Sequence, residues 1–338
     1  MIKEINLKLA ENKNLTQAEV EVVMKEIMSG QARPDEIAGF LMGLREKGET
    51  VDEITGAAKV MRENVIKIKP KSGKLLDTCG TGGDKSNTFN ISTVSAFVAA
   101  GAGAIVAKHG NRSISSKCGS ADVLKELGVN IEATPEIVEK CLNEIGIGFL
   151  YAPLLHPAMK YATPVRRQLG VRTIFNILGP LANPAAAKHQ LLGVYDAKLT
   201  EPLVNVLKNL GSVHALVVHG AGGLDEASTT GETIISELKD NKVICYNIKP
   251  EDFGIQMASL NDLKGGDAVF NAKLAFDILN GKKGAQRDIV VLNAGAAIYA
   301  ADMAENINTG VILAVKSIDS GTALQKLEAL KKMTNLRG

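Results

Sequence analysis

Two loops one helix apart hold most of the reactive side chains of this sequence. Residues 75–120 read LLDTCGTGGDKSNTFNISTVSAFVAAGAGAIVAKHGNRSISSKCGS. The first loop holds Gly80, Thr81, Gly82, Gly83 and Asp84; the second holds Lys108, His109, Gly110, Asn111, Arg112 and Ser113. Glycines let a backbone approach an anion closely and turn several N–H groups toward it. Ser86, Thr88, Asn90, Ser92 and Thr93 add neutral donors, and Lys108, Arg112 and Lys117 add charge. An Arg grips phosphate oxygens with two parallel bonds, whereas a Lys acts as a point charge. So many donors suit a ligand with more than one phosphate. The spacing is not that of a P-loop, which needs four residues between its glycines and then Lys with Ser or Thr. Nor is it GxGxxG, because the third glycine is missing after Gly80 and Gly82. A glycine-rich strand-to-helix turn can be only a tight turn, but the second loop one βα unit later favours phosphate.

A third loop, Gly220 to Glu226, follows the apolar run at 214–219 and ends in adjacent carboxylates, Asp225 and Glu226. Such a pair opposite a polyphosphate site suits Mg²⁺, which takes oxygen ligands and is often shared with substrate phosphates. The plainer alternative is an acidic N-cap for a helix from Ala227 onward. Cys79 and Cys118 flank the first two loops without an adjacent base and read as packing residues.

These loops need an alternating scaffold, and the pattern supplies one. Thr16 with Glu19, and Thr50 with Glu53, form capping-box patterns ahead of apolar stripes, so the first 65 residues read as helices. Pro70 lies in a linker. Strands are expected at 75–76, 104–107, 129–131, 147–151, 190–195, 214–219 and 288–292, with a hairpin over 233–248 turning at Asp240 and Asn241. Thr134 and Pro135 start a helix that ends near Gly146, and Thr200 starts one running to Gly211. A proline-rich stretch, 152–184, breaks the alternation and holds His156, Arg166, Arg167 and Arg172, with a helix over 159–168. Arg167 reads as a solvated face; an Arg beside the site would hold a substrate carboxylate. Residues 234–338 offer no chemical constellation.

The chain has 338 residues, 45% hydrophobic and 22% charged, with net charge +2 and four cysteines without a CxxC pair. Near-neutral charge argues against a nucleic-acid surface. No signal peptide or membrane-length apolar run is visible, so a cytoplasmic location is expected.

Together GTGGD (80–84), NIST (90–93), KHGNRSISS (108–116), NILGPLANP (176–184) and LDE (224–226) resemble the anthranilate phosphoribosyltransferases over nearly the whole chain. The resemblance implies an α/β fold shared with pyrimidine nucleoside phosphorylases: a small helical domain hinged to a larger α/β domain with a mostly parallel central sheet. The helical domain would comprise residues 1–70 and part of 152–184, and the α/β domain residues 71–338. It implies transfer of the phosphoribosyl group of 5-phosphoribosyl 1-diphosphate to anthranilate in tryptophan biosynthesis, with Mg²⁺, by a homodimer. Matched residue by residue, Gly80, Gly83, Asp84, Thr88, Asn90, Ile91, Ser92, Thr93, Lys108, His109, Gly110, Asn111, Arg112, Ser113, Ile114, Ser115, Ser116 and Ser120 would bind phosphoribosyl diphosphate. Gly80, Asn111 and Arg166 would contact anthranilate, and Ser92, Asp225 and Glu226 would hold Mg²⁺. Lys108 and Arg166 would assist the chemistry directly. His109 is a candidate general base, though an aniline nitrogen can attack while neutral and lose its proton afterwards. The competing readings are a nucleoside phosphorylase, which has less need of a carboxylate pair, and a phosphate-binding protein without catalysis.

Overall fold

The structure is a computed structural model that describes residues 1–71, 73–84, 86–112 and 118–336. Four helices open it: α1 (Ile2–Ala10), α2 (Gln17–Met28), α3 (Pro34–Lys47) and α4 (Val51–Glu63). Both capping boxes form. In the first, Glu19 N–H donates to Thr16 Oγ1 at 3.3 Å while Thr16 N–H donates to Glu19 Oε2 at 2.9 Å. Gly30, at φ 77°, ends α2 where a side chain would be strained.

Glu53 does more than cap α4. It is fully buried and takes N–H bonds from Leu15 at 2.8 Å and Thr50 at 2.7 Å, and Lys47 Nζ at 2.9 Å. The Lys47 side chain is only 4% exposed and donates also to Asn14 and Gly48. Removing one partner strands a buried charge, which costs about 3–5 kcal/mol. Glu53→Ala is therefore expected to lower the urea midpoint of the helical part sharply; an unchanged midpoint would show the pair to be idle.

The remainder is built on seven strands: β1 (Leu75–Gly80), β2 (Ile105–Gly110), β3 (Ile147–Tyr151), β4 (His189–Gly193), β5 (His214–Gly220), β6 (Thr233–Lys239) and β7 (Lys242–Ile248). Their order is β3-β2-β1-β4-β5-β6-β7, with β1 to β5 parallel and β6 and β7 antiparallel. Strand order reverses between β1 and β4, and open sheets place ligands at the carboxyl ends of such strands. Alternation sorts the two faces. Leu191, Leu216 and Val218 join one apolar cluster, while Leu192, Ala215 and Val217 join another.

Helices α5 (Ile91–Gly101), α6 (Ser120–Glu126) and α7 (Pro135–Glu144) link β1 to β2 and β2 to β3. The proline-rich stretch forms α8 (Ala152–Leu155), α9 (Thr163–Leu169) and α10 (Phe175–Leu181); α9 and α10 pack with α1–α4. Helix α11 (Thr200–Asn209) precedes β5, and α12 (Ala268–Leu279), α13 (Ala285–Ala300), α14 (Ile307–Asp319) and α15 (Thr322–Thr334) cover the first cluster. The chain crosses between helical bundle and sheet layer three times, and the crossings run side by side. Ile66 N–H donates to Leu155 O at 2.9 Å, and Ile68 N–H to Pro184 O at 3.1 Å.

Three expectations change. Residues 288–292 are not a strand but lie in the first half of α13. Ile289, Val290, Val291 and Leu292 are all buried, so the run lacks the polar face that marks a surface helix. Residues 129–131 are also not a strand. Val129 and Ile131 are buried between α6 and α7, while Asn130 N–H and side chain bond Thr334 at the end of α15. Thirdly, Lys108, His109 and Gly110 continue β2 rather than open a loop. The hairpin holds: Asp240 (φ 50°) and Asn241 (φ 59°) have the positive φ of a two-residue turn.

Candidate active site

Three strand ends meet. The glycine loop follows β1, Tyr195 follows β4, and the acidic loop follows β5. Thr81 N–H donates to Gly193 O at 2.9 Å and Tyr195 N–H to Thr81 Oγ1 at 3.2 Å, joining the first two. Gly82 and Gly83 have φ 66° and 74°, the left-handed region that favours glycine. Asp225 Oδ2 accepts the Gly82 N–H at 2.7 Å, and Glu226 Oε1 accepts the Ser92 N–H at 3.1 Å in the first turn of α5. Each carboxylate thus ties the acidic loop to one part of the phosphate-type segment. No helix begins at Ala227, which removes the N-cap alternative.

Glycine makes this approach possible at three strand ends. A Cβ on Gly80 would meet the Asp225 carboxylate, one on Gly193 would run into the Asp225 backbone, and one on Gly220 would meet Glu226 O. Asn293, fully buried in α13, fixes the far side of the acidic loop: its Oδ1 accepts from Ala227 N–H and its Nδ2 donates to Ala227 O, both at 2.8 Å. Burial and then the charge of Asp84 push the Asp225 carboxyl up to about 7. Burial and then Asp225 raise Glu226 well above the usual range. Crowded carboxylates of this kind call for a positive charge between them.

Lys108 supplies part of it from below. Its side chain end is buried, with Nζ donating to Thr78 O at 2.5 Å and Ser92 Oγ at 3.3 Å. Burial lowers its pKa, and the charges of Asp77 and Glu226 act against that. Asp77 in turn accepts from His109 N–H at 3.1 Å and from Asn183 Nδ2 at 2.8 Å.

His109 is 7% exposed and fully engaged. Its Nδ1 lies 3.1 Å from Gly179 O and its Nε2 lies 3.1 Å from His156 Nε2. A carbonyl can only accept, so Nδ1 carries the proton and the Nε2 lone pair accepts from His156. Burial, then His156, lowers His109 to about 3, and burial lowers His156 to about 4. Both are neutral when folded but titrate near 6.5 when unfolded, so the unfolded chain binds more protons below that pH. Stability is complete above 6.5 and falls as pH drops toward 4, by about 1.4 kcal/mol per unit for each histidine. In His156→Asn, the loss of stability between pH 7 and pH 5, read from urea midpoints, is expected to shrink by about 2 kcal/mol. Equal losses in both proteins would contradict a neutral buried pair.

Arg166 on α9 lies with its guanidinium 5.2 Å from the centre of the Phe175 ring at the start of α10. Among the described residues it has no carboxylate partner. Arg172 donates to Gly83 O and stacks 3.9 Å from the Tyr195 ring centre, holding the α9–α10 connection to the glycine loop. Arg112 Nε donates to the Tyr151 hydroxyl at 3.0 Å, and Ser120 Oγ to Asn111 O at 3.2 Å. Asp84 accepts from Ser86 Oγ at 2.5 Å. Thr88 bridges Lys264, and Asn90 Oδ1 accepts from Asn271 Nδ2 at 3.1 Å. Ile91 and Thr93 are buried in the first turn of α5. Ser113, Ile114, Ser115, Ser116 and Lys117 lie outside the described residues.

Sequence reasoning missed Asn183, Gly193, Asn271 and Asn293 as supports. A lone amide in the apolar run VVLNAG was a usable signal, because a buried amide must find partners. Nothing in the sequence pairs Asn271 with Asn90.

A parallel sheet with glycine and acidic loops at its switch point, under a helical bundle, defines a two-domain glycosyl transferase. Residues 72–324 match the family described as "Glycosyl transferase family, a/b domain", and residues 3–65 match "Glycosyl transferase family, helical bundle domain". The chain is 53% identical over 334 residues to anthranilate phosphoribosyltransferase of Symbiobacterium thermophilum, covering 99% of this chain and 98% of that one. It is 54% identical over 335 residues to that of Acetivibrio thermocellus, covering 99% and 97%. The crystal structure of the Thermus thermophilus enzyme superposes with TM-score 0.93 at 42% identity, over 98% of this chain and 99% of that one. The Saccharomyces cerevisiae enzyme in complex with PRPP and Mg superposes with TM-score 0.90 at 27% identity, over 98% and 97%. The chain belongs to the anthranilate phosphoribosyltransferase family.

Proposed function

We propose that the strand-end site is where this chain carries out its family's reaction. It transfers the 5-phosphoribosyl group from 5-phosphoribosyl 1-diphosphate to anthranilate, giving N-(5-phosphoribosyl)anthranilate and diphosphate, in tryptophan biosynthesis. The observation that carries the reading is the crossing of Asp225 and Glu226 onto Gly82 and Ser92, which sets a carboxylate pair against a phosphate-type loop.

The glycine loop, the α5 N-terminus and the 108–116 segment hold the phosphates, with the helix dipole favouring the anion. Ser92, Asp225 and Glu226 fit Mg²⁺: the donors are all hard oxygens, and two repelling carboxyls gain from a cation. Among the described residues no three His, Cys, Asp or Glu side chains form a metal cluster, so phosphate and water would complete the shell. Bound Mg²⁺ would neutralise the leaving diphosphate. Lys108 balances Glu226 and fixes Ser92 from beneath. Arg166 takes the anthranilate carboxylate in its fork and aims the amine at the ribose C1 carbon, with Gly80 and Asn111 beside it. His109 shapes the wall: its lone pair is occupied and its basicity is low, so the amine attacks neutral and releases its proton afterwards.

Residues 1–70 with part of 152–184 act as a helical domain against an α/β domain of 71–338, and closure between them excludes water. Arg172, reaching from the α9–α10 connection to Gly83, is the contact such a closure would tighten. As the family resemblance implies, the assembly would be a homodimer and its location the cytoplasm. No described helix is long and apolar enough to cross a membrane. The reaction is tested by following loss of anthranilate fluorescence with diphosphate release, in the presence of Mg²⁺ and phosphoribosyl diphosphate. Coupled loss and release is expected; binding of phosphoribosyl diphosphate without turnover would send the search to another acceptor. Light scattering at micromolar concentration tests the dimer, and a monomer mass overturns it.

A further inference from the structure

Two of the three side-by-side crossings enclose something besides hydrogen bonds. Between segments 65–70 and 183–186 lies a cleft of about 350 Å³, within the range of small-molecule sites. Val65, Leu75 and Pro184 supply apolar wall; Arg62, Lys67 and Lys69 supply positive charge, and no carboxylate lines it. Glu139 meets this segment at the Lys69 backbone N–H, 2.7 Å away. Arg62 Nε donates to Leu181 O at 2.6 Å and Nη1 to Leu210 O at 3.1 Å, which leaves guanidinium donors over. Among the described residues no side chain of Arg62, Lys67 or Lys69 forms an ion pair with a carboxylate. Burial lowers the Arg62 pKa to about 10, with no anion opposing it. A partly buried guanidinium without a counter-ion beside an apolar cleft is the complement of an amphipathic anion.

We propose that this cleft is an effector site for a small organic carboxylate with an aromatic or branched apolar body. The carboxylate meets Arg62, Lys67 and Lys69, and the body lies against Val65, Leu75 and Pro184. The cleft sits at the start of β1, about 17 Å along the strand from the glycine loop. Asn183 belongs to its lining, and the same side chain bonds Asp77 Oδ2 and Ala107 O at 2.8 Å. Asp77 holds the His109 backbone, so a ligand that moves the 183–186 segment is felt at the end of β2. Because the cleft is lined from both sides of the crossings, its occupant favours one setting of the helical bundle over another.

Indole-3-acetate is a suitable probe for fluorescence polarisation, since the chain contains no tryptophan and indole can be excited at the red edge of its band, beyond tyrosine absorption. The full-length protein is expected to bind it saturably, in a salt-sensitive manner, at sub-millimolar concentration. Lys67→Glu with Lys69→Glu, both at exposed positions, is expected to weaken binding at least tenfold without moving the thermal midpoint. Equilibrium dialysis with saturating anthranilate is expected to leave the probe bound. The probe is expected to change the anthranilate KM at least twofold in the wild-type enzyme and not in the double variant. Absent binding, equal binding in the variant, displacement by anthranilate, or binding without a kinetic effect each overturns the proposal.

Discussion

Asp225→Asn combined with Glu226→Gln is expected to abolish the response of turnover to added Mg²⁺ and to lower kcat/KM for phosphoribosyl diphosphate by about 10²–10³-fold. The size follows from where charge develops. Cleavage at the ribose C1 carbon puts negative charge on diphosphate, and the two carboxylates are the groups that would hold the cation there. Neutral amides keep the shape. The amide oxygen at position 225 can still accept the Gly82 N–H, and the one at position 226 the Ser92 N–H, so the loop stays in place. Loss of activity in a folded protein therefore isolates charge from architecture. The amides also remove two carboxyls that burial, and then neighbouring carboxylates, disfavour as anions, so the thermal midpoint without Mg²⁺ is expected to hold or rise. A normal Mg²⁺ titration in the double variant would remove these residues from the metal site.

Arg166→Ala is expected to raise the anthranilate KM about 100-fold while leaving the affinity for phosphoribosyl diphosphate nearly intact. Two charge-assisted hydrogen bonds to one carboxylate are together worth about 3 kcal/mol, which is the basis for that factor. Arg166→Lys recovers only part, because an ammonium cannot reproduce the planar fork. Its packing on Phe175 predicts a small further loss of stability in the alanine variant. Equal damage to both substrates would mean that Arg166 supports the fold of α9 and α10 rather than reading the carboxylate.

Helices α2 and α4 were legible because their capping boxes and apolar stripes are local signals. The β6–β7 hairpin was legible because Asp240 and Asn241 tolerate positive φ. The run at 288–292 misled because α13 is buried on nearly every side from Ile289 onward, and a buried helix segment of β-branched residues looks like a strand. Residues 129–131 misled for another reason: a Val-Asn-Ile alternation needs a sheet neighbour to become a strand, and Asn130 is instead engaged by α15. At the site, the glycine and acidic loops announced themselves by composition. Their supports did not, because Asn183, Gly193 and Asn293 acquire meaning only through partners distant in sequence. Gly193 is the plainest instance, as its lack of a Cβ matters only because the Asp225 backbone lies over it. His109 likewise reads as a base from its side-chain type, whereas its basicity depends on His156 and Gly179.

The apolar cluster that joins α1–α4 to α9 and α10 has a consequence for synthesis. Helix α4 ends at residue 63, but its partner α10 ends only at residue 181. At roughly 5–20 residues per second, the ribosome takes about 6–24 s to deliver the missing helices. During that interval the emerging chain carries Val60 and Met61 without Leu178 and Leu181, and Leu203 and Leu207 of α11 join the same cluster later still. Nascent chains stalled before about residue 180 should therefore be held by chaperones, and those stalled well beyond it released.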